Sequence, residues 1–359
     1  MVSERVVVIG CGGIGGVVAA SLALNNVPVL GVSGNPEIAA AITRAGLRAT
    51  FSDGASHQVQ MAAVEHLRDV PEPIHTVILA VPPNRCEAAA RDLQPLLAAD
   101  GKVVCLANGL VEERLAAILG SARVMGGVVA FGASMLGPGV VEQTSSGGVV
   151  FGHLEGGQAE VLASKWAQAM SNLGTISHTE NLRGARWSKL AINCAISSLG
   201  ALGGARLGAL MRHRFVRRLC LEIMTEVTQV ALAERVELEK VAGTLDLEWM
   251  ALDDDERLLN GSPSLFAKHT VLLAVGAKYR RLRSSVLAAI ERGREPPVDF
   301  LNGEVVARAE TNGISVPINR AISQKIYAIA RGEVQPGLAQ VQALYGETRT
   351  VLREMKWAA

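Results

Sequence analysis

The chain has 359 residues, 49% of them hydrophobic and 19% charged, with a formal net charge of +1. That length suits two domains, and so apolar a composition excludes a disordered chain. A near-neutral charge balance gives no electrostatic case for nucleic acid or for an anionic membrane as partner. Cys11, Cys86, Cys105, Cys194 and Cys220 are scattered without CxxC spacing. Neither a disulfide framework nor a metal site is expected, and a cytoplasmic location fits.

The N-terminal stretch RVVVIGCGGIGG begins with a β-branched run, Val6 to Ile9. Gly10-Cys11-Gly12-Gly13-Ile14-Gly15 follows, then an Ala-rich helix and a second strand, Val27 to Val32. Val6 to Leu24 is uncharged and as long as a membrane span, but its many glycines and missing basic flank read as a soluble strand–turn–helix. G-x-G-x-x-G in that context is the dinucleotide fingerprint. Gly10 permits the tight turn, Gly12 the approach of a pyrophosphate, and Gly15 close helix–strand packing. The helix start offers unpaired N–H groups to the phosphates.

An acid at the end of the second strand would select NAD. The chain reads Ser33-Gly34-Asn35-Pro36-Glu37 there, with no acid at the strand end and no Arg. Ser33 and Asn35 can donate to a 2′-phosphate, with Arg44 from the next helix assisting. The cofactor expected is NADP, with NAD possible because Glu37 is close by in sequence.

His75 to Val81 reads as a buried strand ended by Pro82-Pro83, and Cys86 to Ala98 as a helix. Lys102 to Ala107 is a strand closing on Asn108-Gly109. Ligands of a parallel sheet sit beyond the carboxyl ends of its strands, which places Val81, Pro82 and Asn108 toward the nicotinamide. Asn-Gly is also an ordinary turn. Residues 123–152 are expected to add two or three strands that complete the sheet.

After Gly174 the pattern becomes helical, at 183–201, 214–236, 264–292, 298–312 and 318–331. Asp253 to Glu256 reads as a solvated loop or helix start, with metal ligation the lesser alternative. Gly332 to Gly337 breaks the chain before a last helix, Leu338 to Lys356. The expectation is an α/β chain: a Rossmann-type dinucleotide-binding domain at 1–178, then an all-α substrate and dimerisation domain at 179–359. The cleft between them is the expected site.

Within RWSKLAINCAISSLGAL, Lys189, Asn193 and Ser197 recur at steps of four on an otherwise apolar helix, so they share one edge. A snorkelling lysine beside two satisfied polar groups is the structural alternative. The chemical one is stronger if this helix faces the cofactor. Hydride addition to a ketone leaves an alkoxide that needs a proton. A lysine whose pKa is lowered by burial can supply one and can stabilise the developing charge. Asn193 then orients the lysine or holds a substrate oxygen.

These motifs together resemble the ketopantoate reductase family, over roughly residues 5–331. Its G-C-G-x-x-G matches Gly10 to Gly15, and its N-G matches Asn108-Gly109. Its W-x-K-L-x-x-N matches Trp187, Lys189, Leu190 and Asn193, where the resemblance implies a general-acid lysine. Its S-S-x-L matches Ser284 to Leu287, which implies a substrate contact at Ser285. Its E-I-D-x-x-N-G resembles Pro297 to Gly303, and its G-I-x-V-P matches Gly313 to Pro317. Four family positions differ: the glutamate is Pro297, the second asparagine of the lysine helix is Ser197, the lysine after the third strand is Pro82, and the arginine after the second strand is replaced within Ser33 to Asn35. Glu295 is a candidate substitute for the missing carboxylate. Arg281 and Ser285, four apart, would share a helix face and could hold a substrate carboxylate.

The resemblance implies an NAD(P)H-dependent reductase of a small-molecule carbonyl substrate, ketopantoate or a related 2-keto acid. Lys189 would be the proton donor, and Asn108, Asn193, Ser197 and Ser285 would place the substrate. It also implies pantothenate biosynthesis and a homodimer. The alternatives are an NAD-dependent dehydrogenase of another secondary alcohol and a non-catalytic NAD(P)-binding sensor.

Overall fold

The computed structural model describes residues 4–156, 159–240, 245–258 and 261–358. The chain divides into two compact units, Met1–Leu182 and Arg183–Ala359. The first is an α/β sheet unit of Rossmann type and the second is helical.

The first unit alternates strands and helices: β1 (Val6–Ile9), α1 (Gly13–Leu24), β2 (Val29–Val32) and α2 (Pro36–Ala45). Three short strands follow, β3 (Leu47–Thr50), β4 (Ser56–Val59) and β5 (Ala62–Val64). Next come β6 (Ile74–Leu79), α3 (Pro83–Leu93), β7 (Leu97–Cys105), α4 (Val111–Leu119) and β8 (Val124–Val129). The unit ends with β9 (Ala133–Gly137), β10 (Val140–Gln143), β11 (Gly148–His153), α5 (Ala159–Ala167) and β12 (Thr175–Thr179). The main sheet has the order β12-β11-β8-β7-β6-β1-β2-β5. It is parallel from β5 to β8, after which β11 joins antiparallel. All four residues of β1 and all of β6 except His75 are buried, as unbroken Val/Ile runs require when both sheet faces are covered.

Residues 123–152 supply the expected two strands to the main sheet and also build part of a second one. Only β8 and β11 of that stretch lie in the main sheet. Its other two strands, β9 and β10, form a hairpin turned at Gly139 (φ +73°) and leave for a second sheet, β4-β3-β10-β9. Side chains in β10 alternate between buried and half-buried, the mark of a one-sided sheet. Val141 on β10 sits against Gly16 of α1, so α1 is held between the two sheets. Phe151 and Trp166 meet edge to face in the core at 5.5 Å.

The second unit comprises α6 (Leu182–Gly203), α7 (Leu207–Met211), α8 (Arg214–Ala233), α9 (Leu247–Met250) and α10 (Asp254–Leu258). It continues with α11 (Pro263–Lys278), α12 (Ser285–Glu291), α13 (Asn302–Thr311), α14 (Pro317–Ala330) and α15 (Leu338–Ala358). Helix α8 is central and buries charged as well as apolar side chains. Its Glu222 pairs with Arg218 (2.7 Å) and Arg257 (3.0 Å). Buried charges persist only when so paired.

The acidic run at 253–256 is not wholly solvated. Asp253 Oδ1 accepts the Glu256 N–H and Glu256 Oε2 accepts the Asp253 N–H, a capping box that starts α10. Glu256 is buried and ion-paired with Lys268. The stretch expected as one helix over 264–292 breaks after Lys278. Tyr279 ends α11, and Ser284 begins α12 by accepting the Leu287 N–H (3.1 Å). Helix α11 is apolar on its outer side too, leaving Phe266, Leu273, Ala274 and Ala277 exposed. Helix α15 covers α8 and α14, burying Val341, Leu344 and Leu352.

All five cysteines are buried free thiols. Among the described residues no helix is long and apolar enough to cross a membrane, and no cluster of His, Cys, Asp and Glu suits a metal ion.

Candidate active site

In the first unit the dinucleotide fingerprint sits at the carboxyl end of β1, between β2 and β6. Gly10 has φ +100°, and a Cβ there would lie 2.8 Å from the Ala80 carbonyl. A Cβ at Gly15 would collide with the Gly10 carbonyl oxygen. These two glycines let turn, helix and strand close on one another. Gly12, at the N-cap of α1, has no atom within 4 Å of its would-be Cβ. No side chain caps α1 and no acid stands in its first turn. The open backbone at Gly12 and the uncapped helix start together leave space and unpaired N–H groups of the kind a pyrophosphate takes, a cradle in outline. Gly13 lies against Ala133 and Ser134 at the start of β9, so that segment borders the cradle. The sequence reading missed those two residues, because nothing local marks a strand from a second sheet as a neighbour of the turn.

Cys11 points the other way. Its Sγ lies 3.8 Å from the carbonyl oxygens of Val8 and Val32, and burial pushes the thiol up to about 12. It stays a neutral core thiol, and what it gives the turn is backbone.

After β2, Ser33 is buried and its N–H donates to Val64 O (2.9 Å), while its Oγ lies 3.4 Å from the Asn35 backbone N and O. Asn35 caps α2, its Oδ1 accepting the Glu37 N–H at 2.9 Å. Arg44 lies in the last turn of α2, nine residues from Asn35. That is about 14 Å of helix, so the sequence expectation that Arg44 assists at this end is wrong. Val81 lies beside Gly10, its Cγ1 2.9 Å from that glycine's would-be Cβ. Pro82 is the N-cap of α3, where the Cys86 thiol donates to the Val81 and Pro82 carbonyls. Asn108 is half-buried three residues past β7, before Gly109 with φ +92°. Since β1, β6 and β7 are adjacent, Gly10 to Gly15, Val81, Pro82 and Asn108 follow the carboxyl ends of neighbouring strands.

In the second unit the polar file on α6 is the helix's open edge. Lys189, Asn193 and Ser197 are half-buried, whereas Trp187, Leu190, Cys194, Ser198 and Leu199 are buried. Asn193 Nδ2 is itself shielded from solvent and has no hydrogen-bond partner. A buried donor left unmade is costly and calls for an acceptor. The Ser197 carbonyl accepts from Ser284 Oγ (2.6 Å), which brings the start of α12 beside α6. Ser284 is therefore spent on structure, and Ser285 next to it is exposed.

Other sequence candidates are not assembled this way. Arg281 and Ser285 do not share a helix face, because residues 279–284 are not helical. Arg283 pairs with Glu291. Pro297 begins a short 3-10 turn in which Asp299 accepts from the Tyr327 hydroxyl. Burial first, then Asp299 and Glu295, push that phenol upward, so the charge of exposed Glu295 falls on Tyr327.

A glycine-turn sheet unit followed by a helical unit that carries a half-buried lysine edge is the arrangement of an NAD(P)-dependent oxidoreductase. The family model described as ketopantoate reductase PanE/ApbA matches residues 6–156, and its C-terminal counterpart matches residues 181–330. The chain belongs to the ketopantoate reductase family. Among curated relatives, the 2-dehydropantoate 2-reductase of Archaeoglobus fulgidus is 24% identical over 333 residues, 92% of this chain and 99% of its own. That of Halobacterium salinarum is 26% identical over 324 residues, covering 90% and 97%. A PanE/ApbA family ketopantoate reductase from Ralstonia eutropha superposes with a TM-score of 0.76 at 27% identity, over 92% of this chain and 99% of that one. D-mandelate dehydrogenase, solved with NADH and anilino(oxo)acetate, shares the fold at TM-score 0.76 and 20% identity, with the same coverage.

Proposed function

We propose that the protein reduces a 2-keto acid, ketopantoate or a related carbonyl compound, to its alcohol, preferring NADPH and using Lys189 as proton donor. The observation that carries this reading is the α6 edge, with a lysine and an unpartnered buried amide donor one turn apart on a helix most of whose other residues are buried.

The backbone of Gly10 to Gly15 would hold the pyrophosphate, and Ser33 with the Asn35 amide would face the ribose end. The bound dinucleotide supplies a hydride to the carbonyl carbon. The Lys189 ammonium stabilises the negative charge that grows on the carbonyl oxygen and then hands it a proton. Asn193 Nδ2 donates to a substrate oxygen, which satisfies the amide. Asn108, Ser197 and Ser285 orient the remaining polar groups of the substrate.

Pro297, where the family carries a glutamate, favours a substrate other than ketopantoate itself, since a proline cannot hold a hydroxyl. The same residue and the lack of a cation after β2 favour a second reading, an NAD-dependent dehydrogenase of another secondary alcohol. The likeness to D-mandelate dehydrogenase supports it in fold alone. A cytoplasmic homodimer through the helical half is the assembly we expect, with the apolar outer side of α11 as its candidate surface.

The test is a panel of ketopantoate, benzoylformate and 2-ketoisovalerate with NADPH and with NADH, beside the corresponding alcohols with the oxidised cofactors. We expect the highest kcat/KM with a 2-keto acid and NADPH, and a loss of about 10²–10⁴-fold in kcat for Lys189→Ala. Undiminished turnover by that variant overturns the assignment. Tight NADPH binding with no turnover of any panel member points instead to a sensor.

A further inference from the structure

Asn302 opens α13 fully buried, and both ends of its carboxamide are engaged. Its Oδ1 accepts from the Ser198 hydroxyl of α6. Its Nδ2 donates to the Cys194 carbonyl of α6 (3.2 Å) and to Asn319 Oδ1 (2.8 Å). Asn319, in the first turn of α14, donates through Nδ2 to Glu226 Oε2 on α8 at 2.8 Å. The same carboxylate accepts the backbone N–H groups of Ile318 (3.0 Å) and Asn319 (2.8 Å), so α8 caps α14 from outside. A relay of four side chains, Glu226, Asn319, Asn302 and Ser198, crosses four helices, and each is 0% exposed.

A hydrophobic core does not need such a relay. Burying polar groups is unfavourable unless every partner is present, and what a satisfied network supplies is a unique arrangement. The arrangement it fixes here is that of α6. Cys194 and Ser198 lie one turn apart, each next in sequence to a member of the polar edge, Asn193 and Ser197. One amide that grips a carbonyl and a hydroxyl on the same turn resists rotation of the helix about its axis, which greasy contacts tolerate. A rotation of roughly 10° moves a group about 6 Å off the axis by about 1 Å. A displacement of that size can lower a rate by about 100-fold.

We infer that Asn302, held in turn by Asn319 and Glu226, is a positioning residue for the reduction: it sets the rotation of α6 and thereby where Lys189, Asn193 and Ser197 point. This rests on the reading of Lys189 as proton donor.

The test compares Asn302→Leu, which keeps the volume and removes both grips, with Glu226→Gln, which keeps the shape but offers one N–H end where N–H groups must be accepted. Each is assayed with ketopantoate and benzoylformate, using NADPH and NADPH deuterated at the transferring C4 position. For Asn302→Leu we expect kcat to fall about 30- to 100-fold. The isotope effect on kcat should rise, because the chemical step becomes slower than release, and the NADPH Kd should stay within about twofold. A merely structural role would lower kcat only in proportion to the folded fraction, leaving KM and the isotope effect as in wild type, and that result overturns the inference. Wild-type kcat overturns it as well. Should Asn302→Leu not fold, Glu226→Gln decides on the same readouts. Full turnover by Lys189→Ala removes the donor reading, whereas an inactive Lys189→Ala beside a kinetically normal Asn302→Leu removes the relay alone.

Discussion

Glu226 should make the helical unit less stable as pH rises toward neutrality. Burial raises its carboxyl from the ordinary 4.5 to about 7, against the pull of the Ile318 and Asn319 N–H groups, the Asn319 amide and Arg257. Between those two values the folded chain holds a proton that the unfolded chain has released. The stabilising contribution is therefore complete below about pH 4.5 and is lost as pH rises through about 7. A raised pKa of this size is linked to about 3 kcal/mol in all, of which about 2.5 kcal/mol falls between pH 5 and pH 8. Urea unfolding of wild type and Glu226→Gln, followed at both pH values, isolates this group because every other titration is common to the two. The wild-type unfolding free energy should drop between pH 5 and 8 by about 2.5 kcal/mol more than that of the glutamine variant. Two curves that run parallel, or a wild type that gains relative to the variant, would show that Glu226 is ionised throughout and refute the reasoning.

Gly12→Ala has room for its methyl group and should fold normally, yet it fills the space a pyrophosphate needs; NADPH affinity by fluorescence titration should fall about 10- to 100-fold with an unchanged Tm. Gly15→Ala meets the Gly10 carbonyl instead, so it should lose both binding and stability, and a normal Tm would count against the described turn. Ser33→Asp places a carboxylate at the ribose end and should weaken NADPH at least about tenfold more than NADH, whereas equal losses contradict the cofactor preference. Lys268→Met leaves Glu256 buried without its cation and should cost about 3–5 kcal/mol in chemical denaturation; a loss below about 1 kcal/mol would mean water reaches that carboxylate.

Features written in adjacent residues were legible in the sequence. The strand, glycine turn and helix at 6–24 announce themselves by pattern and by their glycines, of which Gly10 and Gly15 leave no room for a Cβ. The Lys189–Asn193–Ser197 edge follows from the helical period alone. Boundaries slipped where pairing, not propensity, sets the end. The helix expected over 86–98 stops at Leu93, because Leu97 pairs with Ile74 and β7 begins there. The hairpin β9–β10 was unreadable as a second sheet because its partner β3 lies about 90 residues earlier, and nothing local encodes that register. The run 264–292 keeps an apolar period through its break, which is set by the Ser284 bond to a carbonyl on another helix. In the sequence Asn302 is only part of the Pro297 to Gly303 motif, with no role of its own. Its bonding partners come from two other helices, α6 and α14, which no window of sequence displays.

The five sequestered thiols amount to a built-in reporter of opening. Cys11, Cys86 and Cys105 are shielded within the sheet unit, and Cys194 and Cys220 within the helices. A maleimide added to the native enzyme should find little to alkylate, and each site becomes reactive only when its own surroundings breathe. Peptide-resolved mass spectrometry of such labelling would time the loosening of each half separately, on the unaltered chain, with no probe engineered into it.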